Sequence, residues 1–324
     1  MIVTVTANPS VDRTVVLPGP LRRGAVQRAE AVLEHPGGKG VNISRACVAS
    51  GVPTLALLPV ADDDPFVAEL AAVAVPFRPV PPAGPMRVNL TLTEPDGTTT
   101  KINSAGATVA DLSALADAAA DAAAAGDWVV LAGSLPPGVP DDWYADLAAR
   151  LHGLGVRVAV DASEGPLLAV TRAGGAAVGL LKPNAEELAS VTGSDPDALE
   201  ADPERAADAA ATLVGSVATT VLATLGAGGA VLVDASGAWH AVPPPITVAS
   251  TVGAGDATLF GYLAADLRGL APAERLASAV AYGAAAASLP GTTAPTPSDV
   301  RTAEVRVRAL DVPSRVTTTE GKRS

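Results

Sequence analysis

The segment Thr251-Val252-Gly253-Ala254-Gly255-Asp256 places a carboxylate among small residues at the predicted start of a helix. Amides in the first turn of a helix have no acceptor within the helix, and with the helix dipole they attract phosphate oxygens. A carboxylate there can accept the proton of an attacking hydroxyl while the amides hold the transferred phosphoryl group. On its own, the motif would favour a simpler role, in which Asp256 only stabilises a helix start.

A second glycine-rich segment, Pro36-Gly37-Gly38-Lys39-Gly40-Val41-Asn42, precedes a predicted helix from Val41 to Ser50. Glycines at this point allow a ligand to approach the backbone closely, and Asn42 faces outward one turn into the helix. The spacing is not that of a Walker A motif. Taken alone, the segment fits a ligand site and a plain helix entry with a solvated Lys39 about equally well.

The segment Lys182-Pro183-Asn184-Ala185-Glu186-Glu187 follows a predicted strand. Asn184 can cap the next helix, and Glu187 lies at the position that completes a capping box. The alternative places Asn184 and Glu187 beside a hydrated Mg²⁺, which needs few protein ligands because it keeps several waters.

Two further loops also follow predicted strands. The loop from Thr224 to Gly229 could cradle a nucleotide or form an ordinary turn. The loop from Leu131 to Pro137 could contact a phosphate through Gly133 and Ser134, or could simply be stiffened by its prolines. Because such loops share one edge of a parallel α/β sheet, where ligands bind, we expect these segments to meet.

The elements that must position these residues alternate along most of the chain. Predicted strands are 2–6, 11–17, 25–33, 53–60, 86–94, 99–103, 128–132, 156–161, 177–182, 219–225, 230–233 and 238–242. Predicted helices are 41–50, 111–125, 141–154, 185–192, 203–214, 254–267 and 273–289. The alternation predicts βαβ units around a mostly parallel sheet. The polar strands at about 11–33 and 86–103 are predicted to form an inserted lid or small accessory sheet. We therefore expect one domain over residues 1–312 and a flexible tail over 313–324.

The composition excludes several functions. The 324 residues include 34 acidic and 22 basic side chains, for a net charge of −12, with three each of Phe, Tyr and Trp. This argues against nucleic-acid binding and against anionic membrane surfaces. The single Cys47 and three His do not supply an ordinary zinc site. No signal peptide or long apolar run is visible, so a cytoplasmic location is expected.

In this order, the segments resemble the ribokinase-like sugar kinase family, and specifically its phosphofructokinase B branch. Both family signatures are present, as Gly37-Gly38-Lys39-Gly40-Val41-Asn42 and as Thr251 to Asp256. The stretches 8–12, 100–103 and 288–291 are most similar to bacterial enzymes that phosphorylate fructose 1-phosphate, with tagatose-6-phosphate kinases close behind.

The resemblance implies a three-layer α/β sandwich with a small β-sheet lid that often mediates dimerisation in relatives. It implies phosphorylation of fructose 1-phosphate by ATP, with Mg²⁺ and a monovalent cation as candidate cofactors. The catalytic residues would be Asp256 as general base, with Gly253, Ala254 and Gly255 as the anion hole. The sugar-binding residues would be Asp12, Gly38 and Asn42 at hydroxyls, and Lys39, Arg87, Lys101 and Ser134 around the existing phosphate. The nucleotide-binding residues would be Lys182, Thr224, Gly226, Gly229 and Gly255. Asn184 and Glu187 would hold Mg²⁺ through water.

The sequence departs from the family in several places, including a short, proline-rich stretch from Ala71 to Pro85. Ala61-Asp62-Asp63-Asp64-Pro65-Phe66 replaces a glycine-rich loop, Ser250 replaces Asn, and Ser104-Ala105 replaces Glu-Pro. Three acids facing the site would repel a sugar phosphate. These changes leave the phosphoryl-transfer residues in place but leave tagatose 6-phosphate and fructose 6-phosphate open as substrates.

Two functions of other classes remain as alternatives. A non-catalytic sugar-phosphate sensor would be expected to lack Asp256 or the glycines beside it. A dinucleotide-dependent oxidoreductase is disfavoured because the first strand leads to Asn8-Pro9 and not to Gly-x-Gly-x-x-Gly.

Overall fold

The computed structural model of the chain describes residues 1–81, 84–109, 111–124 and 126–311. The predicted tail 313–324 and Ala125, the predicted last residue of a helix, lie outside these residues.

Fourteen strands and ten helices occur in the described ranges. The strands are β1 Ile2–Val5, β2 Ser10–Val16, β3 Ala31–Gly37, β4 Thr54–Pro59, β5 Phe77–Val80, β6 Arg87–Thr93, β7 Thr99–Asn103, β8 Trp128–Ala132, β9 Arg157–Asp161, β10 Val178–Leu181, β11 Ala218–Thr224, β12 Ala230–Asp234, β13 Gly237–Val242 and β14 Arg306–Leu310. The helices are α1 Lys39–Ala49, α2 Pro65–Ala72, α3 Ser113–Ala123, α4 Trp143–Gly153, α5 Glu164–Ala173, α6 Ala185–Thr192, α7 Pro196–Ala201, α8 Pro203–Ala211, α9 Ala254–Leu267 and α10 Pro272–Ala287.

The large sheet has ten strands in the order β14-β13-β12-β11-β10-β9-β8-β1-β4-β5. From β11 to β5 all neighbours are parallel, and β12, β13 and β14 add to one side as antiparallel strands. The central strands are short apolar runs; all five residues of β8, for example, are buried. Burial on both faces is what parallel strands between helical layers require.

Helices cover both faces of this sheet. On one face, Ile43 of α1 and Leu259 and Phe260 of α9 pack with Ile2 and Val130. On the other face, α3, α4, α6 and α8 contribute side chains to a separate core cluster around the alternate residues of the same strands. The predicted three-layer α/β arrangement is confirmed.

The lid is a separate four-stranded sheet in the order β3-β2-β6-β7. The predicted hairpin of β6 and β7 is confirmed as part of it. The predicted strand 25–33 is wrong in position, because β3 spans 31–37 and Val26 is 95 % exposed. Pairing of Ser10 with Gly37 extends β3 through Pro36. Proline has no N–H group to donate, but β3 is an edge strand, where a residue can do without that hydrogen bond.

Several short elements were not predicted: α2, α5, α7, β5 and β14. α2 begins at the unusual acidic segment, where the Asp64 side chain accepts a hydrogen bond from the Phe66 amide. Asp64 is therefore a helix cap, while Asp62 and Asp63 are exposed. Within the described ranges, no helix combines the length and the apolar character needed to cross a membrane.

Candidate active site

The predicted segments meet at the carboxyl edge of the parallel strands. Asp161 ends β9, Lys182 follows β10, and Gly133 follows β8, with its amide bonded to the Asp161 carbonyl. The first turns of α1 and α9 point at the same region, since Asn42 of α1 donates a 2.9 Å hydrogen bond to Asp256 of α9. The sheet topology thus brings together residues more than two hundred positions apart.

Asp256 lies in the first turn of α9 and is only 7 % exposed. Burial, reinforced by the negative charge of Asp161, raises the pKa of Asp256 to about 7. The amide of Asn42 and the ammonium groups of Lys39 and Lys182 oppose this rise because they favour the carboxylate. A carboxylate whose pKa lies near neutral pH is suited to accept a proton from a bound hydroxyl.

Asp161 forms the centre of a charged cluster that the sequence analysis did not assign. Lys39 Nζ lies 2.6 Å from Asp161 Oδ1, and Lys182 Nζ lies 3.1 Å from Oδ2. The second contact is off the hydrogen-bonding direction, so Oδ2 is a buried oxygen without a hydrogen-bond partner among the described residues. Burial alone would raise the pKa of Asp161, but the two ammonium groups outweigh it and hold that pKa below its usual range.

Lys39 is held in this cluster by nearby negative charges. Burial opposes its positive charge, but Asp161, Glu187 and Asp256 outweigh burial and raise the pKa of Lys39. Its predicted contact with a sugar phosphate remains a prediction. The sequence signal for Asp161 was available, because a lone acid ended the apolar run Val158 to Val160 at the edge where ligands bind.

The start of α9 has the form of an anion site. Gly253 caps the helix in the left-handed region, with φ of 78°, and a Cβ added to it would meet no atom within 4 Å. A Cβ on Gly255 would lie 3.6 Å from Lys182 Nζ, so this ammonium group stands directly over the first turn. Backbone amides and one cation therefore converge beside Asp256, as binding of phosphate oxygens requires.

The start of α1 is packed tightly against the first strand and the lid. A Cβ on Gly40 would lie 2.3 Å from Thr6 Oγ1, and one on Gly38 would lie 2.8 Å from Thr6 Cγ2. A Cβ on Gly37 would lie 2.3 Å from the Asp12 carboxylate. Gly38 and Gly40 thus allow the start of α1 to approach Thr6 at the end of β1, and Gly37 allows β3 to approach the Asp12 side chain of β2.

Polar side chains of the lid surround Asp12. Asp12 Oδ1 accepts hydrogen bonds from Ser10 Oγ at 2.9 Å and from Asn89 Nδ2 at 3.1 Å. Asn89 Oδ1 is buried without a hydrogen-bond partner among the described residues. Asn89, to which the sequence analysis assigned no role, therefore joins the candidate sugar site.

The remaining residues predicted around the sugar phosphate differ in position. The Arg87 guanidinium donates from Nε to the Asn8 carbonyl at 3.1 Å and from Nη1 to the Ser104 carbonyl at 2.9 Å. Ser134 is exposed and 3.4 Å from Asn8 Nδ2, so Asn8 links Arg87 and Ser134. Lys101 is exposed on β7. The structure brings Arg87 and Ser134 together, whereas the Lys101 side chain makes no hydrogen bond or ion pair with any described residue.

A cavity of about 640 Å³ opens beside the start of α9. Its lining includes four predicted nucleotide residues: Thr224, Gly226, Gly229 and Gly255. Its apolar walls include Pro243, Ile246, Val248 and Val280. The size and the apolar walls suit a flat heterocycle, and the lining reaches the first turn of α9 at Ala254 and Gly255.

The segment after β10 is a complete capping box. Asn184 Oδ1 accepts from the Glu187 amide at 2.8 Å, and Glu187 Oε2 accepts from the Asn184 amide at 2.9 Å. Ser163 Oγ donates to Glu187 Oε1 at 2.6 Å. Three or more His, Cys, Asp or Glu do not cluster as a metal site anywhere in the described ranges.

Comparison with known proteins agrees with this geometry. Residues 5–299 match the family model described as "pfkB family carbohydrate kinase". The chain is 41 % identical over 291 residues to a 1-phosphofructokinase of Rhodobacter capsulatus, covering 87 % of this chain and 90 % of that protein. It is 32 % identical to an ATP-dependent 6-phosphofructokinase isozyme 2 of Mycobacterium tuberculosis, covering 92 % and 87 %.

A solved structure also superposes over nearly the whole chain. Phosphofructokinase-2 from Escherichia coli, crystallised with substrates and products, aligns with a TM-score of 0.82 and 28 % identity, covering 92 % of this chain and 96 % of that one. The chain therefore belongs to the pfkB family of carbohydrate kinases.

Proposed function

We propose that the protein is an ATP-dependent 1-phosphofructokinase that converts fructose 1-phosphate and ATP into fructose 1,6-bisphosphate and ADP. The observation that carries this proposal is the buried Asp256, with a pKa raised to about 7, in the first turn of α9 beside Lys182. The 41 % identity to a 1-phosphofructokinase supports the choice of substrate.

In the proposed reaction, the free terminal hydroxyl oxygen of the sugar attacks the γ-phosphorus of ATP. The hydroxyl proton passes to the Asp256 carboxylate, the bond from the γ-phosphorus to the bridging oxygen breaks, and ADP leaves with that oxygen. Asn42 orients the base through its 2.9 Å hydrogen bond. Amides of Gly253, Ala254 and Gly255 would hold the transferred phosphoryl group, where developing charge benefits from fixed donors.

The nucleotide would bind with its base in the 640 Å³ cavity lined by Thr224, Gly226 and Gly229. Its phosphates would extend toward Lys182, which stands 3.6 Å from the position of a Cβ on Gly255. The sugar would lie beneath the lid, with hydroxyls at Asp12, Gly38 and Asn42 and its phosphate near Arg87 and Ser134. Lys39 and Lys101 are further candidates for that phosphate.

The residues present fit a hydrated Mg²⁺. Asp161 Oδ2 is a buried carboxylate oxygen of the kind this ion binds; it lies 3.1 Å from Lys182 Nζ but accepts no hydrogen bond from the described residues. Glu187 and Asn184 lie in the capping box that follows β10. When bound, Mg²⁺ would neutralise phosphate charge, and because it keeps several waters it needs no cluster of protein ligands. A monovalent cation remains a prediction.

Steady-state assays on a panel of sugar phosphates with ATP test the substrate. Fructose 1-phosphate is expected to give the highest kcat/KM, with tagatose 6-phosphate and fructose 6-phosphate as the runners-up. A higher kcat/KM for either runner-up would replace the proposed substrate within the same chemistry. Binding of fructose 1-phosphate without ADP formation would instead indicate the non-catalytic sensor.

The lid is also proposed as a homodimer surface. Several apolar side chains on it are exposed, including Val32 at 53 % and Ile102 at 54 %. Sedimentation analysis of the protein and of the Ile102→Lys variant tests this, since a dimer through the lid should dissociate in the variant.

A further inference from the structure

A second cavity, of about 410 Å³, lies at the end of the sheet opposite the candidate active site. Its walls include residues near the amino-terminal ends of four neighbouring parallel strands: Trp128 of β8, Arg157 of β9, Gly179 of β10 and Thr220 of β11. The helix α9 connects the two regions, since it begins beside Asp256 and carries Asp266 near its other end. Ten residues of helix separate these two acids by roughly 15 Å.

The floor of this cavity is a charged cluster centred on Asp266. Its side chain is 5 % exposed and lies 2.5 Å from Arg157 Nη1 and 2.8 Å from Arg275 Nη1. Trp128 Nε1 donates a 2.8 Å hydrogen bond to the same carboxylate. One carboxylate thus serves two guanidinium groups, which leaves the cluster with a net positive charge in a chain whose net charge is −12.

The other titratable groups do not cancel this charge. His152 and Tyr262 also line the cavity. A histidine carries no negative charge, and Tyr262 carries none as long as its hydroxyl is protonated. Burial raises the pKa of Tyr262, which keeps its hydroxyl protonated at neutral pH. Asp127 is another acid close enough to interact with Arg157, but its carboxylate is paired with the Met1 amine, and its backbone carbonyl accepts a hydrogen bond from Arg157 Nε. The side chains of Arg157 and Arg275, which both line the cavity, are 48 % and 26 % exposed.

The lining beside these cations includes the Trp128 indole, which is 4 % exposed, and several small apolar side chains. The Arg157 guanidinium stacks over the Trp128 ring at 4.6 Å. A Cβ on Gly179 would lie 3.0 Å from the same ring, so the glycine allows the indole to lie against the sheet edge. Ala177 and Val156 continue the apolar surface. An arginine fork beside a flat apolar wall is suited to a planar group that carries an anionic substituent.

We propose that this cavity is a second ligand site, which binds a small organic anion through Arg157 and Arg275. The phosphate or carboxylate of the ligand contacts the two guanidinium groups, and its flat apolar part lies against Ala177 and the Trp128 side of the cavity. The volume is within the range of small-molecule sites. The proposal does not depend on the sugar substrate, because none of these residues belongs to the candidate active site.

Trp128 offers a local reporter of binding. The chain has three tryptophans, so a Trp143→Phe, Trp239→Phe protein retains Trp128 as the only indole. In this background, phenyl phosphate is the probe, with phenol as the uncharged control and inorganic phosphate as the anion without a ring. We expect a saturable change in Trp128 emission with phenyl phosphate, at least tenfold weaker binding of inorganic phosphate, and no saturation with phenol.

Two variants assign the signal to this cavity. Arg157→Gln, which leaves Asp266 paired with Arg275 and Trp128, should weaken phenyl phosphate binding at least tenfold, whereas Arg172→Gln on the exposed end of α5 should leave it unchanged. Ala177→Leu, which fills the cavity without changing a charge, should also abolish saturation. Thermal melting establishes that each variant is folded. Absence of saturation in the background protein would overturn the proposal. So would binding of phenyl phosphate by Arg157→Gln and Ala177→Leu that is as tight as in the background protein.

Discussion

Lys39 Nζ lies 2.6 Å from Asp161 Oδ1, although 122 positions separate the two residues in the chain. Lys39 begins α1 inside one sequence signature of the family, whereas Asp161 ends β9 outside either signature. The pair lies beside Asp256 and acts on it in opposite directions, because Asp161 raises the pKa of Asp256 and Lys39 lowers it. The charge state of the proposed base is therefore set by residues from two other elements.

The pH dependence of turnover should reveal this control. In the unmodified protein, kcat should fall as pH decreases through about 7, because Asp256 becomes protonated. Asp161→Asn removes a charge that raises the pKa of Asp256, so the acidic limb should move to lower pH. Lys39→Met removes a charge that lowers the pKa, so the limb should move to higher pH. Both variants are expected to have reduced kcat, and the position of the limb is the readout. Shifts of the same sign in both variants would contradict this electrostatic arrangement.

Replacement of the proposed base should separate chemistry from binding. Asp256→Asn retains the shape of the side chain but not its proton affinity, so kcat should fall by about 10²- to 10⁴-fold. Binding of the sugar phosphate, measured by calorimetry, should change little. Asp63→Asn, an exposed acid outside the site, is the matched control. Near-normal turnover by Asp256→Asn would exclude this residue as the base.

Stability should record the same raised pKa. Between about pH 4, where an unfolded Asp ionises, and about 7, folded Asp256 keeps a proton that the unfolded chain has released. The folded state then binds more protons, so this group's contribution to the free energy of unfolding decreases as pH rises through that window. The Asp256→Asn variant has no titrating group at this position, so its free energy of unfolding does not show this decrease. The melting temperature of the variant minus that of the unmodified protein should therefore increase from pH 5 to pH 7 and level off above about 7. A difference that stays constant with pH would show that Asp256 has an ordinary pKa.

Much of this site could be predicted because local sequence carries the relevant physics. The small residues before Asp256 and the glycines before Asn42 mark helix starts with open amides, and strand ends place them at one edge. Asp161 was missed because its role depends on Lys39 and Lys182, which only the folded sheet brings to it. The position of β3 was missed because strand pairing with Ser10 to Val16 outweighed the local preferences of Pro36 and Gly37.

The contact between Gly37 and Asp12 predicts a selective defect in sugar binding. A Cβ on Gly37 would lie 2.3 Å from the Asp12 carboxylate, which must then rotate away from Ser10 and Asn89. Loss of one hydrogen bond to this carboxylate should raise the KM for the sugar phosphate about tenfold, equivalent to about 1.4 kcal/mol. The KM for ATP should stay within about twofold of the value for the unmodified protein, which corresponds to less than about 0.5 kcal/mol. Gly19→Ala in the lid, where a Cβ would meet nothing within 4 Å, is the control. An unchanged sugar KM in Gly37→Ala would remove Asp12 from the proposed site.

Gly229 permits the close backbone approach that closes one side of the nucleotide cavity. Its φ is 90°, and a Cβ there would lie 1.9 Å from the Ala241 carbonyl oxygen, which belongs to the backbone of β13 and has little freedom to move. Gly229→Ala should therefore lower the free energy of unfolding by about 1–2 kcal/mol through left-handed backbone strain, and by about 1–3 kcal/mol more through the clash. Gly215→Ala isolates the first effect, because Gly215 has a similar φ of 78° and open space around its Cβ position. Chemical denaturation should show the larger loss at Gly229.

Displacement of β13 should also carry Val242 and Pro243 away from the cavity wall, so the KM for ATP should rise in Gly229→Ala and not in Gly215→Ala. Equal effects of the two substitutions would mean that the Ala241 carbonyl yields freely, and that this close approach does not shape the nucleotide site.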